Sequence, residues 1–200
     1  MLGSRHAAKV ESPFSSGTGF PISGTVWLTA AHVIGRFDPG QITVDGLVVL
    51  EIIELGEDLD AVLLVTEPHG HKPWPLADRA PRPGETVFKS GYGAGDHWWT
   101  AGLGTEDPDR VAMDIFPGDS GGPVFSTEGE VLGIIVTVGV HRGTIIMHHA
   151  GIVPMTLILE ALPEGLLDAE EGPAPPPPAP VPVEETPWER FLRLKKEQGL

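Results

Sequence analysis

Apolar positions along the chain come in short runs, not in long periodic stretches. Residues 25–28, 41–44, 47–53, 61–65, 86–89, 111–115, 123–126, 131–138 and 144–147 are rich in Val, Ile and Leu, and Gly, Pro and Asp clusters separate them. β-Branched side chains favour extended backbone and the Gly and Pro positions supply turns, so this spacing predicts many short strands in an all-β sandwich or barrel. Two segments read as helix. In the first, at 155–162, Met155, Leu157, Ile158, Leu159 and Leu162 form a short amphipathic element that Pro163 stops. No repeat of solenoid type is present.

The pattern changes at residue 164. Asp168-Ala-Glu-Glu-Gly-Pro-Ala leads into Pro175 to Pro178 and alternating Pro and Val, a composition that builds no core and predicts a semi-rigid polyproline II spacer over 164–186. The second helix follows at 187–200. Thr186 is its N-cap, Pro187 its first-turn proline and Glu189 its capping-box acid, with Trp188, Phe191 and Leu192 on one face and Glu189 paired with Arg193. The expected organisation is a body at 1–163, a linker and a tail. The tail reads either as a peptide docking into a partner's groove or as a weakly ordered end that folds back on the acidic body.

Charge narrows the partners. The 200 residues carry 13 Lys and Arg against 28 Asp and Glu, a formal charge of −15, which has the wrong sign for nucleic acid or an anionic membrane surface. The absence of Cys excludes disulfides, thiolate metal sites and a Cys nucleophile. The longest apolar run, 131–140, is shorter than the roughly 20 residues a bilayer requires, and the first residues lack the apolar stretch of a secretory signal. The expectation is a soluble, cytoplasmic or particle-associated protein that contacts neither nucleic acid nor membrane.

Three segments carry chemistry. In Phe116-Pro-Gly-Asp-Ser-Gly-Gly-Pro-Val-Phe125 a serine stands among glycines ahead of an apolar strand, where a tight turn exposes its hydroxyl and bare backbone N–H groups can face an oxyanion. Val26-Trp-Leu-Thr-Ala-Ala-His-Val-Ile34 delivers a His at the end of a strand, as a general base requires. Glu57-Asp-Leu-Asp-Ala-Val-Leu-Leu-Val65 places an acid at the mouth of another strand, where it would fix the imidazole tautomer. Each alone has an ordinary structural reading: a glycine-rich turn, a satisfied His, a strand-flanking carboxylate.

Together and in this order the segments resemble the trypsin-like, chymotrypsin-fold serine peptidases. Gly118-Asp-Ser-Gly-Gly-Pro is similar to that family's nucleophile motif and Thr29-Ala-Ala-His32 to its histidine motif. Gly17-Thr-Gly-Phe20, Ser90-Gly-Tyr-Gly93 and Leu132-Gly-Ile-Ile135 resemble its flanking strands and turn, so the likeness spans about residues 14–162. It implies an all-β fold of two packed six-stranded antiparallel barrels with a short C-terminal helix, in the manner of minimal bacterial and viral members with an open cleft. It implies Ser120 as nucleophile, His32 as base, Asp60 as orienting acid with Asp58 as the alternative, and the Gly118 and Ser120 N–H groups as oxyanion hole.

The same resemblance implies a serine endopeptidase acting on protein or peptide without a cofactor. Asp114 corresponds to the pocket floor and slightly favours cleavage after Arg or Lys; Thr137, His148 and His149 fall near the pocket walls, where the histidines point to acidic side chains instead. No Arg-Ile-Val-Gly-Gly sequence precedes Phe14, so Asp119 is expected to pair with something other than a freshly cut N-terminus. The alternative function is a binding or assembly module that keeps a peptidase fold. The remaining signals are read as structural. Gly91-Tyr-Gly-Ala-Gly-Asp96 is a turn, Trp98 and Trp99 pack on the barrel, and His69-Gly-His71 and His148-His149, with no Cys or paired carboxylates at ligand spacing, imply no metal site.

Overall fold

The computed structural model describes residues 6–141 and 144–167, without the side chains of 137–141 and 144–148. The spacer beyond 167 and the tail helix at 187–200 lie outside the described residues. Among the described residues, thirteen strands, paired antiparallel, make two sheets, one for each half of the body.

The first sheet has the order β5-β4-β1-β2-β3-β7-β6. Its strands are β1 (Ala8–Ser12), β2 (Ser15–Pro21), β3 (Val26–Thr29), β4 (Thr43–Val44), β5 (Leu47–Val48), β6 (Glu51–Glu54) and β7 (Val62–Val65). The second is a closed barrel, β10-β13-β12-β11-β8-β9. It comprises β8 (Thr86–Gly91), β9 (Trp98–Gly104), β10 (Arg110–Ala112), β11 (Pro123–Phe125), β12 (Val131–His141) and β13 (Thr144–Pro154). The helices are α1 (Ala31–Ile34) and α2 (Met155–Ala161), the latter ending close to where Pro163 predicts.

The all-β, chymotrypsin-like architecture expected from the sequence is therefore present, with one difference in closure. The first half is a seven-stranded sheet whose outer strands β5 and β6 do not pair. The run at 47–53 divides because Val49 donates its N–H to Ile42 (3.0 Å) and Leu50 donates to Val65 (2.8 Å), so consecutive residues serve different neighbours.

Two cores fill the halves. Phe20, Trp27, Leu28, Leu63 and Leu64 are fully buried in the first, and Val87, Val111, Leu132 and Ile135 lie in the second. Each such side chain contributes about 1.5–3 kcal/mol relative to exposure. Successive residues of β11 serve opposite cores: Val124 packs into the second and Phe125 into the first, as pleating dictates. Met155 and Ile158, three apart on α2, also pack into the first, so the C-terminal helix staples the halves together.

Candidate active site

Strand pairing brings His32 and Asp60 together. β3 and β7 run antiparallel with Thr29 opposite Val62, so the residues just past the end of β3 meet those just before β7. Val33 and Ile34 bury themselves and anchor α1, while His32 on the same turn faces outward. Its Nδ1 lies 2.6 Å from Asp60 Oδ2 and its backbone N–H donates to Asp60 Oδ1 at 2.9 Å. This two-point contact fixes both the ring and the main chain. Asp58, the alternative acid, is exposed and outside this contact.

Partial burial pushes the Asp60 carboxyl up, but the His32 ring and main-chain hydrogen bonds, the charge attraction to the ring and the Ala31 main chain outweigh it and hold the carboxyl below its usual value. Asp60 is thus an anion at neutral pH. With Nδ1 engaged by that anion, Nε2 is the nitrogen left for proton transfer. The side chains are 45% and 35% exposed, so the pair is open to solvent.

Thr18 ties the serine turn of the second half to this corner of the first. Fully buried on β2, Thr18 donates its backbone N–H to the Ser120 carbonyl (2.8 Å) and its hydroxyl to the Gly118 carbonyl (2.7 Å). The same hydroxyl accepts the Tyr92 N–H (2.9 Å), and Thr29 Oγ1 donates to the Thr18 carbonyl (2.7 Å). Glycines permit the approach. A Cβ on Gly17 would meet the Ser120 carbonyl at 2.8 Å and the Val33 side chain, beside His32, at 2.5 Å. Gly121 has φ +82° and its missing Cβ would stand 2.2 Å from the Thr18 carbonyl, so both its conformation and its lack of a side chain are required.

The backbone around Ser120 leaves donors free. Among the described residues neither the Gly118 nor the Ser120 N–H donates to a backbone carbonyl. Gly118 has φ +103°, and the Pro117 carbonyl accepts the Ala94 N–H at 2.9 Å. Because the peptide is trans, anchoring that carbonyl on the Ala94 turn directs the Gly118 N–H to the opposite side.

Asp119 has found its partner in Lys89. This β8 lysine is fully buried, and its ammonium pairs with Asp119 Oδ2, which also accepts the Phe116 N–H at 2.7 Å. The ammonium stands 5.7 Å from the Phe116 ring centroid. A Cβ on Gly91 or Gly93 would crowd Asp119 Oδ1 at 2.7 or 2.8 Å, which is why the Gly-Tyr-Gly turn needs both glycines. Nothing in the sequence singled out Lys89, because one lysine in a strand reads as a solvent-facing residue.

Of the expected pocket residues, Asp114 is exposed. Thr137 pairs through its backbone with Gly151, His149 is exposed, and the Thr137 and His148 side chains are outside the description. Trp99 does pack on the barrel, its ring edge-on to Phe125 at 5.3 Å, yet it and Trp98 remain 47% and 48% exposed. His71 meets His6 and Asp45, a carboxylate that spacing along the chain does not reveal.

Comparison with known proteins bears on this arrangement. The family described as "Trypsin-like peptidase domain" matches residues 17–134. No curated protein matches the sequence. Solved structures are similar in fold. The active form of the Rv3671c protease from M. tuberculosis has 21% identity and a TM-score of 0.67, covering 78% of each chain. The serine endoprotease from Yersinia pestis has 24% identity and a TM-score of 0.61, covering 77% of this chain and 60% of its own. A scabies mite inactivated protease paralogue has 14% identity and a TM-score of 0.65, covering 84% and 94%.

Proposed function

The chain belongs to the trypsin-like peptidase domain family, and from that premise we propose that it is a serine endopeptidase working through His32, Asp60 and Ser120. The observation that carries the reading is the His32–Asp60 contact. The carboxylate on Nδ1 orients the ring and holds the neutral imidazole in the tautomer whose Nε2 lone pair can take the Ser120 hydroxyl proton, and the Thr18 clamp holds the serine turn beside that corner.

In this reading Ser120 Oγ attacks the scissile carbonyl as its proton passes to His32. The oxyanion forms against the Gly118 and Ser120 N–H groups, and removing one such donor costs about 10²–10³ in rate. His32 returns the proton to the leaving amine, water enters as the amine departs, and the same base activates that water to release the acyl group. Lys89 and Asp119 are positioning residues: they touch no substrate, but their ion pair fixes the backbone from Phe116 to Ser120. A preference for Arg or Lys before the cut rests on Asp114, and an exposed carboxylate predicts a weak one.

Mass-spectrometric mapping of cuts in a mixed peptide pool, with the chain and its Ser120→Ala variant, tests the proposal. Cuts absent from the variant support it, and a basic residue before them supports the Asp114 assignment. A well-folded chain that makes no cuts would favour a non-catalytic module on this fold, a state the fold tolerates, since an inactivated paralogue shares it.

A further inference from the structure

Three segments remote in sequence converge on the first sheet. His6 precedes β1, Asp45 lies in the β4–β5 turn, and His71 lies in the connection between the halves. His71 Nε2 is 2.8 Å from Asp45 Oδ2, and His6 Nε2 is 3.2 Å from Asp45 Oδ1. The ligating atoms of the three all lie within 4.8 Å of one another. The two imidazoles stack at 4.5 Å with their planes only 9° apart, so both present Nε2 to one carboxylate.

Each residue is held from behind. Asp45 has φ +52° and Gly46 φ +78°, the left-handed pair of a two-residue hairpin turn, and the Asp45 N–H donates to the Lys9 carbonyl at 3.0 Å. The His6 carbonyl accepts Trp74 Nε1–H at 3.0 Å, and the His71 N–H donates to His69 Nδ1 at 3.1 Å. The carboxylate is thereby aimed between the rings.

Hydrogen bonding alone does not satisfy this cluster. His6 Nε2 is shielded from solvent and faces Asp45 at 3.2 Å without a well-aligned hydrogen bond. Both rings turn Nε2 toward the same carboxylate, so three potential ligand atoms face one small space. A divalent ion there would take a lone pair from each imidazole and one from a carboxylate oxygen. Ligand atoms on a tetrahedral zinc ion sit about 3.3 Å apart, given bond lengths of about 2.0–2.1 Å, near the 2.8 and 3.2 Å that separate Asp45 from the two rings.

We propose that His6, Asp45 and His71 form a zinc site, with water in the fourth position, that pins the start of the chain and the inter-sheet connection to the β4–β5 turn. Two imidazoles with a single carboxylate favour a borderline transition metal over Ca²⁺ or Mg²⁺, which prefer oxygen ligands. The ion takes no part in peptide hydrolysis, so the site stands apart from the peptidase reading.

The test uses the untagged 200-residue chain carrying Ser120→Ala, so that no self-cleavage can enter the titration, with Zn²⁺ binding read by calorimetry and circular dichroism confirming the fold. The expected result is one Zn²⁺ per chain. Asp45→Asn, His71→Gln and His6→Gln should each weaken binding by more than the roughly 10–100-fold that loss of a supporting partner costs. His149→Gln should bind like the parent. His6→Gln sits before the first strand and keeps the test meaningful should the others fail to fold. No stoichiometric binding by the parent, or full affinity in any folded ligand variant, would overturn the assignment.

Discussion

Replacing Lys89 with Met removes the ammonium from a cavity where it is fully buried and where its partner Asp119 is only 1% exposed. The variant leaves a carboxylate that still accepts the Phe116 N–H but has lost its counter-charge. Breaking a buried pair from one side costs about 3–5 kcal/mol. Against a typical stability of about 5–15 kcal/mol the variant stays folded or close to it. Removing both charges in Lys89→Met with Asp119→Asn leaves no buried charge, and the Asn amide oxygen can keep the Phe116 N–H; an unpaired neutral amide costs less than an unpaired carboxylate, so the double variant should be more stable than the single one. Urea unfolding at pH 7 reads the difference as a shift in midpoint at constant slope. Activity adds a second axis. Asp119 lies between Gly118 and Ser120, so a carboxylate that swings toward solvent takes both N–H donors with it, and kcat/KM should fall by at least about 10². A single variant that loses under about 1 kcal/mol, with a double variant no better, would refute the idea that this pair organises the serine turn.

Other expectations follow from the same contacts. Thr18→Val keeps the shape but deletes the hydroxyl shared by Gly118 and Tyr92; it should cost about 1–3 kcal/mol in urea unfolding and lower kcat more than it changes KM. Asp60→Asn should fold normally, because its contact with His32 is partly solvated, yet lose about 10⁴-fold in kcat by upsetting the imidazole tautomer, as steady-state peptide hydrolysis would show. Burial pushes His69 from 6.5 down to about 4, so between those pH values the unfolded chain binds the extra proton. Stability should therefore fall as pH drops from about 6.5 toward 4, and in chelator-treated protein His69→Gln should flatten that limb of the urea-midpoint profile.

Legibility in the sequence followed the range of the interaction. Ser120 and His32 stand out because their requirements are local: glycines around an exposed hydroxyl, and a His at the end of an apolar strand. Asp60 needed strand register, and the pairing of Thr29 with Val62 is what separates it from Asp58 two residues earlier. The open first sheet could not be foreseen, since the run 47–53 has the composition of one strand and only the acceptors chosen by Val49 and Leu50 divide it. Lys89 and Thr18 were hidden for another reason. Their partners lie 30 and 100 residues away, and neither a lysine nor a threonine inside a β-rich run announces a buried bond. The same holds for Asp45, whose carboxylate meets two histidines only after three separate segments fold onto one sheet.

The central claim is that His32, oriented by Asp60, makes Ser120 a nucleophile. Labelling the intact chain with diisopropyl fluorophosphate and locating the adduct by peptide mass spectrometry tests it most directly. A single adduct on Ser120, absent in Ser120→Ala and formed far more slowly in His32→Ala, is the predicted result. A folded chain left unlabelled, or labelled as fast without His32 as with it, would contradict the account.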